Sequence, residues 1–168
     1  GSGVLNTARK GEVITDDQLE PAIRVMTTLN KRAAEIGAGF DLHACTDVTG
    51  FGLLGHAFEM VDGSELTLRL DHQSLPLIEG ALDLAEMGII PAGAYSNREY
   101  LEQRVLVDAG VPLAITDLCF DPQTSGGLLL AVGADQAEAL LTALQAEIPE
   151  ATCIGTFLPR AQREIELV

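Results

Sequence analysis

Basic residues are scarce in this sequence. Ten Lys and Arg stand against twenty-five Asp and Glu, a formal charge of −15 over 168 residues. A nucleic acid is gripped through Lys and Arg on its phosphates, so this balance, with the cations scattered, excludes nucleic-acid binding as an expectation. Acidity by itself argues only for solubility. Cysteine is scarce too: Cys45, Cys119 and Cys153 are odd in number, far apart and form no C-x-x-C pair. No disulfide framework is implied, and three buried, reduced thiols are the default expectation. Although 47% of the residues are hydrophobic, no apolar run is long enough for a membrane span. A basic and apolar leader with a small-residue cleavage site is also missing, so the expected compartment is the cytoplasm.

What is present is a succession of short periodic segments. GSGVLNTA reads as a short strand or linker, and Gly1-Ser2 is compatible with a cloning scar. TDDQLEPAIRVMTTLNKRAAEIGAG reads as one long amphipathic helix, with Thr15 and Gln18 as a capping box and Asp16 and Asp17 on the positive end of the dipole. Leu19, Ile23, Met26, Asn30 and Ala33 recur at helical spacing. HACTDVT is a strand, and a helix then runs to about Val61. ELTLRLD alternates Leu66, Leu68 and Leu70 with polar residues, as a half-buried strand does. LIEGALDLAEMG is a helix stopped at Gly88. IIPAGAYSNREYLEQ is a loop with a short helix, and residues 112–118 form another short helix. GLLLAVG is a strand, ADQAEALLTALQAE a helix, and CIGTFLP with REIELV a closing pair of strands. One α+β domain over residues 1–168 is the expectation.

Between HACTDVT and its helix lies GFGLLG, residues 50–55, a match to G-x-G-x-x-G. Asp71 follows roughly 20 positions on, where a dinucleotide fold places its ribose-binding carboxylate. The strand before the glycines argues against that fold. A central parallel strand is apolar on both faces, whereas alternation here puts His43, Cys45 and Asp47 on one face and Ala44, Thr46 and Val48 on the other. A carboxylate three residues before the glycines would sit close to an anionic pyrophosphate, or be buried unpaired. Asp47, beside a glycine turn and a helix start, suits a divalent cation whose other ligands are phosphate oxygens. The helix amides could then meet an anion. The plain alternative is a helix cap.

A second stretch, DPQTSGG at residues 121–127, offers a turn at Asp121-Pro122, the hydroxyls of Thr124 and Ser125, and close backbone approach at Gly126-Gly127. By its residues alone it is equally a connecting loop. His43, Cys45 and Asp47 could form a transition-metal cluster, although three ligands on one strand are poor tetrahedral geometry. His56 reads as a packed or capping histidine.

ACTDVTGFGLLGH followed by CFDPQTSGGLLLAV resembles the C-terminal domain of the selenophosphate synthetase (selenide, water dikinase) family. GVLNTA and CIGTFLP agree with its flanks, and the resemblance covers essentially the whole chain. The wider superfamily includes aminoimidazole ribonucleotide synthetase. The resemblance implies a three-layer α/β/α arrangement with a mixed, partly ferredoxin-like sheet. It implies an enzyme that turns selenide, ATP and water into selenophosphate, AMP and phosphate with Mg2+. The family's nucleophile, lysine and phosphate loop belong to an N-terminal domain that this chain lacks, so the isolated chain is expected to be inactive. That domain is the expected partner, within a homodimer. Carried over by motif, Asp47 is the one metal ligand. Thr46, Thr49, Gly50, Gly52, Asp121, Gln123, Thr124, Ser125, Gly126 and Gly127 lie near the phosphate site or the domain interface. A cousin acting on another substrate, or a non-catalytic module of the same fold, are the alternatives.

Overall fold

The computed structural model describes residues 1–168. The chain opens with α1 (Ser2–Lys10), α2 (Asp16–Thr27) and α3 (Lys31–Gly37), then β1 (Leu42–Asp47), α4 (Gly52–Val61) and β2 (Leu66–Leu70). There follow α5 (Ala81–Glu86), α6 (Ala92–Leu101), β3 (Val105–Val107) and α7 (Leu113–Cys119). The last elements are β4 (Leu128–Val132), α8 (Ala137–Gln145), β5 (Gly155–Pro159) and β6 (Ile165–Leu167). Helices and a mixed sheet make this an α+β fold.

GSGVLNTA is helix, not strand or linker. Its composition is weakly helical, but Val4, Leu5 and Ala8 are all buried on one face. The amide of Gly3 is capped from across the fold by the Asp121 carboxylate at 2.9 Å, and Arg9 and Lys10 oppose the dipole at the other end. Tertiary packing decides a nine-residue segment that propensity alone would leave unformed. The long helix expected next is divided in two. Its capping box is present, with Thr15 and Gln18 each satisfying the other's backbone. Near its end, however, Thr27 and Thr28 donate their hydroxyls to the Ile23 and Arg24 carbonyls, competing with the backbone ladder. Thr28 turns to an extended ψ of 124°, and Asn30 reaches out of the helical line to the Gly126 carbonyl at 2.9 Å.

Two sheets form. β1 and β4 make an antiparallel ribbon. The other sheet has the order β3-β6-β2-β5, with β2 antiparallel to β5 and parallel to β6, and β3 parallel to β6. The two closing strands are therefore both present but do not pair with each other, because β2 lies between them. β3, only three residues long, was not expected at all. Leu68, Leu70, Ile165 and Leu167 line one face of this sheet, and α4 packs across it with Leu54, Ala57, Phe58 and Val61. α1 packs on α2 and α5, and α5 on α7, all in one continuous core. On the far side α3 and α8 meet, tied by Arg32 to Glu147. No helix is long and apolar enough to cross a membrane.

Candidate functional site

The expected alternation along β1 is found: His43, Cys45 and Asp47 are exposed, Ala44 and Thr46 half-buried and Val48 buried. Asp47 pairs across the ribbon with Leu128, and Cys45 with Leu130. Directly opposed residues share a face, so Asp47 stands among Cys45, Leu128 and Leu130 at the end of the strand. Its carboxylate makes no ion pair and accepts no hydrogen bond within the chain.

The two motif loops, unconnected in sequence, are laced together beyond Asp47. The Val48 amide donates to the Gly127 carbonyl at 2.9 Å, and the Gly126 amide to the Val48 carbonyl at 2.8 Å. The Thr49 carbonyl accepts from both Gln123 (3.1 Å) and Gly52 (3.0 Å). Asn97 of α6 donates to the Gly50 and Phe120 carbonyls at 2.9 and 3.0 Å. Two glycines are needed for this closeness. Gly52 has φ +72°, and a Cβ on it would lie 2.8 Å from the Phe120 carbonyl carbon. A Cβ on Gly126 would lie 2.4 Å from the Val48 carbonyl oxygen. Ser125, just before, is itself held at φ +49°. The Thr49 side chain reaches α4: its hydroxyl lies 3.1 Å from Nε2 of the buried His56, whose Nδ1 is 2.9 Å from Glu59. Phe51 leans on the same ring.

Asp121 plays a different part from Asp47. It is completely buried, and its Oδ2 accepts from the nitrogens of Gly1 (3.1 Å) and Gly3 (2.9 Å) while Oδ1 has no partner. Ser2, also buried, accepts from the Thr124 amide at 3.2 Å. The DPQTSGG loop thus caps α1 with one end and braces β1 with the other. Asp121→Ala would leave the Gly1 and Gly3 nitrogens without an acceptor. We expect a loss of about 2 kcal/mol in a denaturant melt.

The thiols differ from the expectation. Only Cys119 is buried; Cys45 and Cys153 are exposed. Cys119 lies at the end of a helix packed on all sides, whereas Cys45 falls on the open face of a ribbon and Cys153 in a connecting segment. Burial pushes the Cys119 thiol up to about 12. Treatment of the native chain with an aromatic disulfide reagent is expected to release two equivalents rapidly and the third only on unfolding.

The His43–Cys45–Asp47 cluster is not formed, and no group of three or more His, Cys, Asp and Glu side chains is placed to hold a metal ion. Asp47 can therefore enter a metal sphere from this chain as a single carboxylate, which suits a magnesium ion whose remaining ligands are phosphates and water. The dinucleotide reading also fails. β1 is half of an antiparallel ribbon rather than a central parallel strand, and β2 belongs to the other sheet. Asp71 instead caps a short turn, accepting from the Gln73 amide and the Ser74 hydroxyl. The Ser74 hydroxyl, then the Gln73 amide, hold its carboxyl below the usual range. Asn30, Asn97, Glu59 and Ser2 had no signal in the sequence. Each works through a partner whose position only the fold determines.

A mixed sheet, an antiparallel ribbon and two glycine loops interlocked beside a lone carboxylate define a recognisable class. The family described as AIR synthase related protein, C-terminal domain, matches residues 1–167, and the chain belongs to it. Within it, the chain is 44% identical over 165 residues to the selenide, water dikinase of Clostridium botulinum (strain Eklund 17B / Type B), covering 98% of this chain and 48% of that protein. It is 49% identical over 148 residues to that of Caldanaerobacter subterraneus subsp. tengcongensis, covering 88% and 43%. It is 41% identical over 169 residues to that of Clostridioides difficile (strain 630), covering 100% and 49%. The chain spans about half the length of these curated relatives.

Proposed function

We propose that this chain is the C-terminal domain of a selenophosphate-forming enzyme, in which it completes an ATP-magnesium site built mainly by an N-terminal domain. The observation that carries this reading is the unpartnered carboxylate of Asp47, held at a fixed strand end by the interlocked TDVTGFG and DPQTSGG loops. Carboxylates set against the core have a cation: Asp117 has Arg98, Glu164 has Arg104 and Arg160, and Glu166 has Arg69. Asp47 has none, so its charge is available to a ligand from outside. It differs from the other exposed carboxylates in standing beside the two interlocked loops.

In this reading Asp47 supplies one hard oxygen ligand to Mg2+. When bound, the ion draws off charge from the phosphates during transfer. The loops of this chain position and do not react. The Val48–Gly126 and Thr49–Gln123 bonds hold Asp47 to the small positional tolerance that metal-assisted transfer demands. The selenide acceptor, the reacting nucleophile and most of the metal sphere come from the N-terminal domain. We place the whole protein in the cytoplasm, as a homodimer.

Phosphorus NMR on the two-domain protein, with ATP, selenide and Mg2+, tests the reading. Selenophosphate and AMP are expected from it and neither from the 168-residue chain alone. A two-domain protein that consumes ATP on another acceptor, with selenide inert, would move the chain to a cousin in the same superfamily. AMP formation by the isolated chain would overturn the division of labour.

A further inference from the structure

Two residues on from Asp47 begins a hydroxyl–imidazole–carboxylate line that the interlocking of the loops does not explain. Thr49 Oγ1 is 3.1 Å from His56 Nε2, and His56 Nδ1 is 2.9 Å from Glu59. His56 is 6% exposed and nothing else in the chain hydrogen-bonds to its ring. The direction of each bond follows from its end. A carboxylate accepts only, so Nδ1 carries the proton; in the neutral ring Nε2 is then an acceptor, and the Thr49 hydroxyl must donate to it. With the ring in that form, the Thr49 proton is committed inward. Its oxygen keeps only acceptor capacity, two residues along the chain from Asp47.

We propose that His56, backed by Glu59, is a positioning residue that turns the Thr49 hydroxyl into a fixed acceptor for a water molecule carried by the cation at Asp47, and not a donor to phosphate. This rests on the magnesium role proposed for Asp47. A phosphate oxygen requires a donor, which Thr49 no longer has to give. A magnesium ion usually keeps several waters, each a donor, and in this proposal an acceptor two residues from its carboxylate ligand would hold one of them. Partners one step removed from a metal set its affinity by roughly 10–100-fold in other sites. The Thr49 backbone, pinned through its carbonyl by Gln123 and Gly52, gives the hydroxyl little freedom to turn elsewhere.

Two measurements decide it. Long-range proton–nitrogen NMR of the 168-residue chain should show His56 as the neutral Nδ1-protonated tautomer; a ring that carries a proton on Nε2, alone or on both nitrogens, overturns the assignment. In the chain joined to its N-terminal half, with a non-hydrolysable ATP analogue, Mn2+ binding can be followed by the loss of its free-ion EPR signal. Thr49→Val, which keeps shape and removes the oxygen, should weaken Mn2+ about tenfold, with a melt that stays cooperative but is lowered by the unpaired His56 Nε2. His56→Leu should weaken Mn2+ binding likewise, and Thr49→Ser should stay near wild type. If Asp47→Asn weakens Mn2+ binding and Thr49→Val does not, this inference fails and the Asp47 reading stands. If neither variant changes the affinity, both fail.

Discussion

Asp47→Asn in the two-domain protein is expected to lower turnover on the order of 10²-fold or more while the melting curve of this domain stays put. The amide keeps the size of the side chain and part of its hydrogen bonding, but not the charge that a hard cation prefers. Asp47 is exposed and meets no partner inside the chain, so the folded state loses nothing measurable in the exchange. Stability could even rise slightly, in a chain of formal charge −15. Steady-state kinetics across a magnesium titration, with a thermal melt of each protein, separate the two effects. A wild-type magnesium response would remove Asp47 from the metal site, and a melt that collapses would show that its carboxylate has a partner within the fold.

Gly52→Ala should behave in the opposite manner, damaging the fold first. The backbone at φ +72° costs an L-residue roughly 1–2 kcal/mol. The added methyl would also meet the Phe120 carbonyl carbon at 2.8 Å and its oxygen at 2.9 Å, backbone atoms that cannot swing away like a side chain. Overpacking of this kind costs about 1–3 kcal/mol. Together they predict a loss of about 3 kcal/mol, which for a chain of this size is a fall in Tm of roughly 6–12 °C. Because Phe120 leads directly into the DPQTSGG loop, the two motif loops should separate as the mutant loosens. Hydrogen exchange at Val48 and Gly126 would report that; unchanged protection with an unchanged Tm refutes the interlock.

The parts legible in the sequence are those whose signals are local. Alternation along HACTDVT gave the exposed and covered faces of β1 correctly, because the strand is solvated on one side. The Thr15–Gln18 box lies within four residues, and it forms. Failures came where a distant group overruled the local preference. α1 exists because Asp121, 118 positions away from Gly3, caps it. The expected single helix breaks where Asn30 answers to Gly126, 96 positions on. The site shows the same division. The exposure of Asp47 at the end of β1 was readable from the alternation, whereas the coupling between TDVTGFG and DPQTSGG required the fold to bring Val48 to Gly126.

The strand order β3-β6-β2-β5 sets a schedule as well as a shape. β6 begins at Ile165, yet it is an interior strand, hydrogen-bonded on both sides to β2 and β3. Ile165 and Leu167 are fully buried there. On the ribosome, β2 and β3 therefore emerge with a gap between them that no earlier segment can fill. The sheet can close only after nearly all of the 168 residues have been translated. Until then Leu68 and Leu70 remain beside an open edge, a template for pairing with another nascent chain. Pairings of such long sequence separation also slow the last step of folding.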